Sequence, residues 1–179
     1  MALRSGNAIR FPENTVRPMG RTAAGVRGIR LSSDKDEVIG MICLEHPDYD
    51  VLVVSQKGYG KRSKLEDYRI TNRGGKGVKT LSITEKTGEL IAINNVTDED
   101  DLMIINKSGI IIRISVSELR TMGRATQGVR LINLKDEDEI AAVAKVPVNE
   151  FEGEEGEEAE LEGEESTEAA DLQAPEPKE

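Results

Sequence analysis

Short apolar segments separated by glycine turns dominate residues 50–96 of the chain. β-Branched residues are concentrated in four of these segments, and breaks fall at Lys57-Gly58 and at Lys86-Thr87-Gly88. The segments show no sustained 3.6-residue periodicity, so an amphipathic helix is disfavoured. The pattern therefore predicts four short β-strands, in the segments DVLVVSQ, YGKRSK, GVKTLSI and ELIAINNV.

The same pattern occurs three times along the chain. In each copy a Gly precedes an Arg by four residues, and further on an Arg precedes a Gly-Val pair by four residues. Successive copies are 52 and then 51 residues apart at both landmarks, which are Gly6, Gly58 and Gly109 for the first and Arg21, Arg73 and Arg124 for the second. Such self-similarity indicates a repeat architecture, with one supersecondary unit in each repeat.

Four strands in about 50 residues are typical of a propeller blade, and closed propellers contain about 4 to 8 blades. Residues 1–149 hold fewer than three complete repeats, and Met1 aligns with Val53, in the middle of the first strand of a blade. We therefore predict an all-β fold, a partial propeller of four-stranded antiparallel blades, whose first blade is incomplete and has an unpaired edge. The chain is interpreted as the carboxyl-terminal piece of a longer repeat protein.

The net charge of −10 is an average over two unlike segments. Residues 150–179 carry 14 Asp or Glu against one Lys, whereas residues 1–149 carry 23 Lys or Arg against 20 Asp or Glu. The acidic segment has too few large apolar residues to form a core, so we predict a disordered tail. Its charge suggests that it competes with a polyanion for the basic body. The alternative is that it only keeps the protein soluble.

Composition and motifs exclude several classes of protein. No apolar run approaches the roughly 18 residues that span a bilayer, and no secretory signal is present, so we predict a cytoplasmic protein without membrane contact. The single cysteine, Cys43, allows neither an internal disulfide nor a zinc site and is expected in the core. The only histidine, His46, has no second ligand or catalytic partner. We therefore predict no catalytic residue, no metal site and no enzyme activity for this chain.

Basic residues and glycines gather in the connection between the second and third strand of each repeat. Arg and Lys make charge-assisted contacts to phosphates, and glycine lets backbone amides approach them closely, so these connections suit binding to the DNA backbone without base recognition. The alternative is that they are tight loops with solvated arginines. The candidate DNA-binding residues are Arg17, Arg21, Arg27, Arg69, Arg73, Lys76, Lys79, Arg120, Arg124 and Arg130.

Several motifs carry a resemblance to a known family. They are SGNAIRF, MGRTAAGVRGIRL, QKGYGKR, RGGKGV and MGRATQGV, followed by the acidic end. Together they resemble the carboxyl-terminal domain of bacterial DNA gyrase A, and the resemblance covers residues 1–149. It implies a β-pinwheel, a propeller-like disc of six blades that wraps double-stranded DNA around its basic rim and sets the negative direction of supercoiling.

The resemblance also implies what lies outside this chain. The tyrosine that breaks DNA, the ATPase and the sites for ATP and Mg²⁺ belong to other parts of the complete type II topoisomerase, so the partners are the rest of gyrase A and the ATPase subunit. The family's signature box is matched only in its last five positions, Arg73 to Gly77, which adds Gly74, Gly75 and Gly77 to the candidate DNA-binding residues. The alternatives are the related domain of topoisomerase IV and a protein-interaction propeller without a nucleic-acid role.

Overall fold

Short strands and 3₁₀ turns make up the described part of the chain. The computed structural model describes residues 1–135 and 138–147, and the predicted disordered tail, residues 150–179, lies outside the described residues. The 3₁₀ turns recur at matching repeat positions, at Glu13–Thr15, Leu65–Asp67 and Val116–Glu118. The strands are β1 (Ala2–Leu3), β2 (Asn7–Ala8), β3 (Val38–Gly40), β4 (Asp50–Ser55), β5 (Tyr59–Lys64), β6 (Val78–Lys79), β7 (Leu90–Val96), β8 (Asp100–Asn106), β9 (Ile111–Ser115), β10 (Val129–Arg130) and β11 (Ile140–Pro147).

The strands form three antiparallel sheets, which confirms the predicted all-β fold. The first sheet has the order β3-β1-β2-β6, the second β10-β5-β4-β7 and the third β11-β8-β9. β6 belongs to the second repeat but pairs with β2 in the first, and β10 belongs to the third repeat but pairs with β5 in the second. The prediction that one repeat forms one blade is therefore wrong, because the long basic connection carries the third strand of the second and third repeats to the preceding sheet.

This exchange of strands decides which sheet is incomplete. The first sheet has four strands because β6 completes it, although β1 spans two residues where β4 spans six. The last sheet has three strands, and no strand in the described part of the chain pairs with the outer edge of β9. The first sheet thus has four strands, with a shortened first strand, and its outer strands β3 and β6 have no further partner strand in the described residues.

The middle sheet is buried on both faces. Val51 and Val53 of β4 pack into a core shared with the first sheet, whereas Leu52 and Val54 pack into a second core shared with the third sheet. All four side chains are buried because alternate residues of a strand point to opposite faces. This double burial explains the unbroken apolar run of β4.

The connection between β3 and β4 corrects another expectation. Ile42 and Leu44 pack against the first core, and Cys43 between them is exposed. The alternation of side chains in an extended segment turns Cys43 away from the core that its neighbours contact. The prediction that Cys43 lies in the core is therefore wrong.

Candidate nucleic-acid interface

Each repeat contains a 15-residue segment that has basic residues and no acidic ones. Segments 17–31 and 69–83 each carry four Lys or Arg, and segment 120–134 carries three. Each segment follows a 3₁₀ turn closely and contains, or in the first repeat aligns with, the strand exchanged with the preceding sheet. The ten basic candidates from the sequence fall in these segments. The sequence reasoning missed Arg30, an exposed arginine in the first of them.

Backbone hydrogen bonds join each segment to the next. Gly74 N donates to Gly28 O at 2.7 Å, and Arg30 N donates to Gly75 O at 2.8 Å. Ser82 N donates to Thr126 O at 3.1 Å, at the repeat position that matches Arg30 and Gly75. The three segments therefore lie side by side, and we call their cations the basic row.

Two of the candidate arginines donate to carbonyl groups of the preceding repeat. Arg73 donates from Nη1 to the carbonyl of Arg27, with a longer contact of 3.4 Å from Nε to Thr15 O. Arg124 repeats the arrangement, donating to Lys79 O at 2.7 Å and to Asp67 O at 2.9 Å. These two guanidinium groups therefore position the row as well as adding charge to it.

The buried side chain of Lys61 on β5 holds the third segment by hydrogen bonds. It is 1% exposed, and its Nζ donates to Gly123 O at 2.6 Å, to the carbonyl of Arg124 and to Thr126 Oγ1 at 3.1 Å. Burial lowers the pKa of Lys61 to about 8, and the nearby charge of Arg124 acts in the same direction. The sequence reasoning missed this residue, although Ile9 and Ile112 occupy the matching positions of the other repeats and make a lysine there unusual.

Most of the remaining candidates are exposed cations. Arg130 is exposed as well but has partners: it donates to Tyr59 Oη at 3.0 Å and to Asn133 Oδ1 at 3.0 Å, and its hydrogen bond lowers the pKa of Tyr59. Within the described residues, the other exposed side chains have no hydrogen-bond or ion-pair partner. They are Arg17, Arg21, Arg27, Arg69, Lys76, Lys79 and Arg120.

The acidic residues among residues 1–149 all lie outside the three segments. Outside the three segments, residues 1–149 carry 12 Lys or Arg against 20 Asp or Glu. Several cations on or beside the strands are paired with carboxylates, as in Arg113–Asp101 at 2.6 Å and Lys64–Asp50 at 3.0 Å. The positive charge that is left unpaired is therefore concentrated in the basic row.

The glycines of the partial signature box have different surroundings. Gly77 has a φ of +74°, and a Cβ there would come within 3.0 Å of Ala8 O, so this position needs glycine for the packing of β6 on β2. Gly74 also has a positive φ, of +80°, and a Cβ there would lie 3.5 Å from Arg27 O, whereas a Cβ on Gly75 would lie 3.4 Å from Asn72 O. Gly77 thus has a clear structural role beside the predicted one.

Metal-binding clusters and membrane-spanning helices are missing from the described part of the chain. Among residues 1–135 and 138–147, no group of three or more His, Cys, Asp or Glu is close enough to hold a metal ion. His46 lies near the ring of Tyr49, with ring centroids 6.4 Å apart. No helix in the described ranges is long and apolar enough to cross a bilayer.

Comparison with known proteins identifies the family. The family model described as "DNA gyrase C-terminal domain, beta-propeller" matches residues 4–45, 49–97 and 100–147, one match for each repeat. The chain belongs to this gyrase family. The A subunit of DNA gyrase from Staphylococcus aureus (strain MRSA252) is 53% identical over 139 residues, which are 77% of this chain and 16% of that protein. The resemblance inferred from the motifs is thereby confirmed, and this member of the gyrase family spans about a sixth of the relative's length.

Two solved C-terminal domains have a fold similar to that of this gyrase-family chain. The C-terminal domain of DNA topoisomerase IV has a TM-score of 0.75 and 25% identity, and the match covers 81% of this chain and 45% of that one. A DNA gyrase A C-terminal domain matches with a TM-score of 0.72 and 24% identity, over 80% of this chain and 48% of that one, and at this identity it shows the fold alone. The three sheets are thus arranged like about half of each solved domain.

Proposed function

We propose that this chain binds the backbone of double-stranded DNA along the basic row and bends the duplex around it, as the DNA-wrapping module of gyrase A. The observation that carries the proposal is the row itself, three acid-free segments joined side by side with most of their cations unpaired. The gyrase A relative with 53% identity supports the same role.

The chemistry of the row suits phosphate better than base edges. Guanidinium and ammonium groups neutralise phosphates and release counterions, which gives affinity without sequence preference. Helical structure in the described residues is limited to 3₁₀ turns of three residues, so no helix is present there to enter a major groove. Cations spaced along three successive sheets contact phosphates at several points, which favours a bent duplex over a straight one.

The complete enzyme belongs to the proposal as well. In it, this chain is a non-catalytic part of an ATP-dependent type II topoisomerase in the bacterial cytoplasm, and its partners are the rest of gyrase A and the ATPase subunit. The chain itself takes no cofactor, and ATP and Mg²⁺ act in those other parts. The 53% identity to a gyrase A subunit favours gyrase over topoisomerase IV.

A salt titration of duplex binding tests the proposal. If about six phosphates are neutralised, affinity falls roughly a thousandfold between 50 and 200 mM salt. Duplexes of unrelated sequence are expected to bind equally at each salt concentration. A protein-interaction propeller would instead show no salt-dependent binding to DNA, and that result would overturn the proposal.

A further inference from the structure

The joint between the second and third repeats contains a tyrosine that contacts two cations. Tyr59 is the first residue of β5, and Arg130 of β10 is its partner across the two strands. Arg130 donates to Tyr59 Oη from Nη2 at 3.0 Å and from Nε at 3.3 Å. The Nζ atom of Lys86, in the turn before β7, lies 5.4 Å from the centroid of the same ring. One buried tyrosine therefore brings together an arginine and a lysine from two parts of the chain.

The two positive charges at this tyrosine are not balanced by a carboxylate. In the described part of the chain neither Arg130 nor Lys86 forms an ion pair, and both residues are exposed. The hydrogen bond from Arg130 is the largest of the effects that lower the pKa of Tyr59, and the charges of both cations act in the same direction. Like charges held close together repel each other, so the arrangement favours an anion that contacts both cations.

The guanidinium group of Arg130 is held in place and still has donors to spare. Besides its two contacts with Tyr59, it donates from Nη1 to Asn133 Oδ1 at 3.0 Å. A guanidinium group has five N–H donors, so two of them remain. Two donors are enough for a bidentate contact with a phosphate group. Arg130 is therefore ordered for phosphate binding before any DNA is present.

The joint between the first and second repeats lacks this arrangement. Lys79 of β6 lies opposite Asn7 of β2 at the matching repeat positions. Asn7 donates to Ser32 Oγ at 3.2 Å, and Lys79 has no hydrogen-bond or ion-pair partner among the described residues. A free lysine loses side-chain entropy when it contacts a phosphate, whereas an arginine that is already ordered loses less. The two joints therefore differ in how far their cation is ordered in advance.

We infer that Tyr59 is a positioning residue for DNA binding, which directs Arg130 and Lys86 toward one phosphate of the duplex. The inference rests on the proposed function and adds two residues to it. Lys86 extends the site beyond the three segments, and the buried Tyr59 acts through the two cations. The neutral phenol orders both cations without neutralising them, as carbonyl groups do for Arg73 and Arg124.

Removal of the tyrosine hydroxyl group tests the positioning role. Tyr59→Phe keeps the ring and the net charge and removes only the group that Arg130 contacts. Affinity for every duplex should fall about three- to tenfold at about 0.1 M salt, because Arg130 must then be ordered during binding. Tyr49→Phe is the matched control, since Tyr49 also has a lysine over its ring, Lys145 at 5.8 Å, but lies outside the basic row. Equal affinities of the two variants would overturn the inference.

A double-mutant cycle shows whether the hydroxyl group acts through the arginine. In an Arg130→Ala background, Tyr59→Phe should lower DNA affinity by less than about twofold, because the guanidinium group that it orders is gone and the ring beside Lys86 remains. A loss as large as in the unmodified background would overturn the inference, since the hydroxyl group would then act by another route.

The salt dependence of binding shows whether the two cations share a phosphate. The double variant Arg130→Ala, Lys86→Ala should make the log–log slope shallower by about 0.9, whereas two separate phosphates would give about 1.8 and overturn the shared site. The control, Lys64→Ala with Lys107→Ala, removes two paired cations outside the row and should keep the slope.

The unmodified chain separates this inference from the proposed function. If it shows no salt-dependent binding to DNA, the proposed function fails and the inference fails with it. If it binds with a steep slope and Tyr59→Phe binds equally well, the proposed function stands and the inference alone is overturned.

Discussion

Arginine and lysine have different partners in the basic row and on the strands. On or beside the strands, a cation usually lies beside a carboxylate, as Arg113 lies beside Asp101 and Lys107 beside Glu139. In the row, a cation is free in solvent, donates to a backbone carbonyl, as Arg124 does to Lys79 O, or donates to neutral side chains, as Arg130 does to Tyr59 Oη. The difference is not one of exposure alone, because Lys64 is exposed and still paired, with Asp50.

This difference shows how loops are ordered without losing their charge. A loop held by carboxylates would be neutralised where it must attract phosphates. Carbonyl groups satisfy the donors of Arg73, Arg124 and Lys61 while contributing no net negative charge. The fold therefore fixes the row and keeps its positive potential at the same time.

The largest effect is expected at Lys61, a buried cation held by carbonyl groups, and it is a change in stability with pH. Its pKa is lowered from 10.5 to about 8, so above pH 8 the unfolded chain binds more protons than the folded one, and stability rises with pH until about 10.5. Between pH 7.5 and 9.5 we expect the free energy of unfolding to gain about 2 kcal/mol relative to the Lys61→Ile variant. Urea unfolding of both proteins measures this gain, and parallel pH profiles would contradict the role of Lys61.

Arg124 and Arg120 lie in the same loop, so their alanine variants compare a cation that holds carbonyl groups with one that has no partner. Arg124→Ala removes two hydrogen bonds to carbonyl groups and should lower the free energy of unfolding by about 1–2 kcal/mol. Arg120→Ala removes an exposed side chain without a partner in the described residues and should change it by less than about 0.5 kcal/mol. Urea unfolding measures both, and similar losses would show that the two arginines are equivalent.

A smaller effect, on DNA affinity, is expected from deleting the acidic tail. Removing residues 150–179 deletes a net charge of −13 and, if the tail competes for the basic row, should tighten DNA binding severalfold at low salt and less at high salt. Titration of a fluorescent duplex at two salt concentrations measures the change. Unchanged affinity at low salt, with a protein that precipitates more readily, would support the role in solubility instead.

Local sequence signals predicted the elements but not their pairing. β-Branched segments and glycine turns located β4, β5, β6 and β7, because both signals act within a few residues of chain. The repeat pattern is identical whether the third strand pairs within its own repeat or with the preceding one. The exchange of β6 and β10 therefore became visible only in the structure.

The sequence located the basic segments of the site but did not predict the contacts of individual residues. The basic segments stand out because repeated Arg and Gly are local features of the sequence. Which arginine holds a carbonyl depends on contacts between repeats, so Arg73 and Arg124 could not be told apart from Arg69 and Arg120. Lys61 left one faint signal, a lysine where two repeats have isoleucine.

The most direct test of the account compares two triple variants that remove equal charge. Arg69→Ala, Lys76→Ala and Arg120→Ala remove free cations of the row, whereas Arg4→Ala, Lys64→Ala and Lys107→Ala remove paired cations outside it. The measurement is the dependence of duplex affinity on salt concentration. The row variant should bind every duplex more weakly, with a log–log slope shallower by about 2.7, and the control should keep the original slope. Equal changes in both variants would show that total charge, and not the basic row, governs DNA binding.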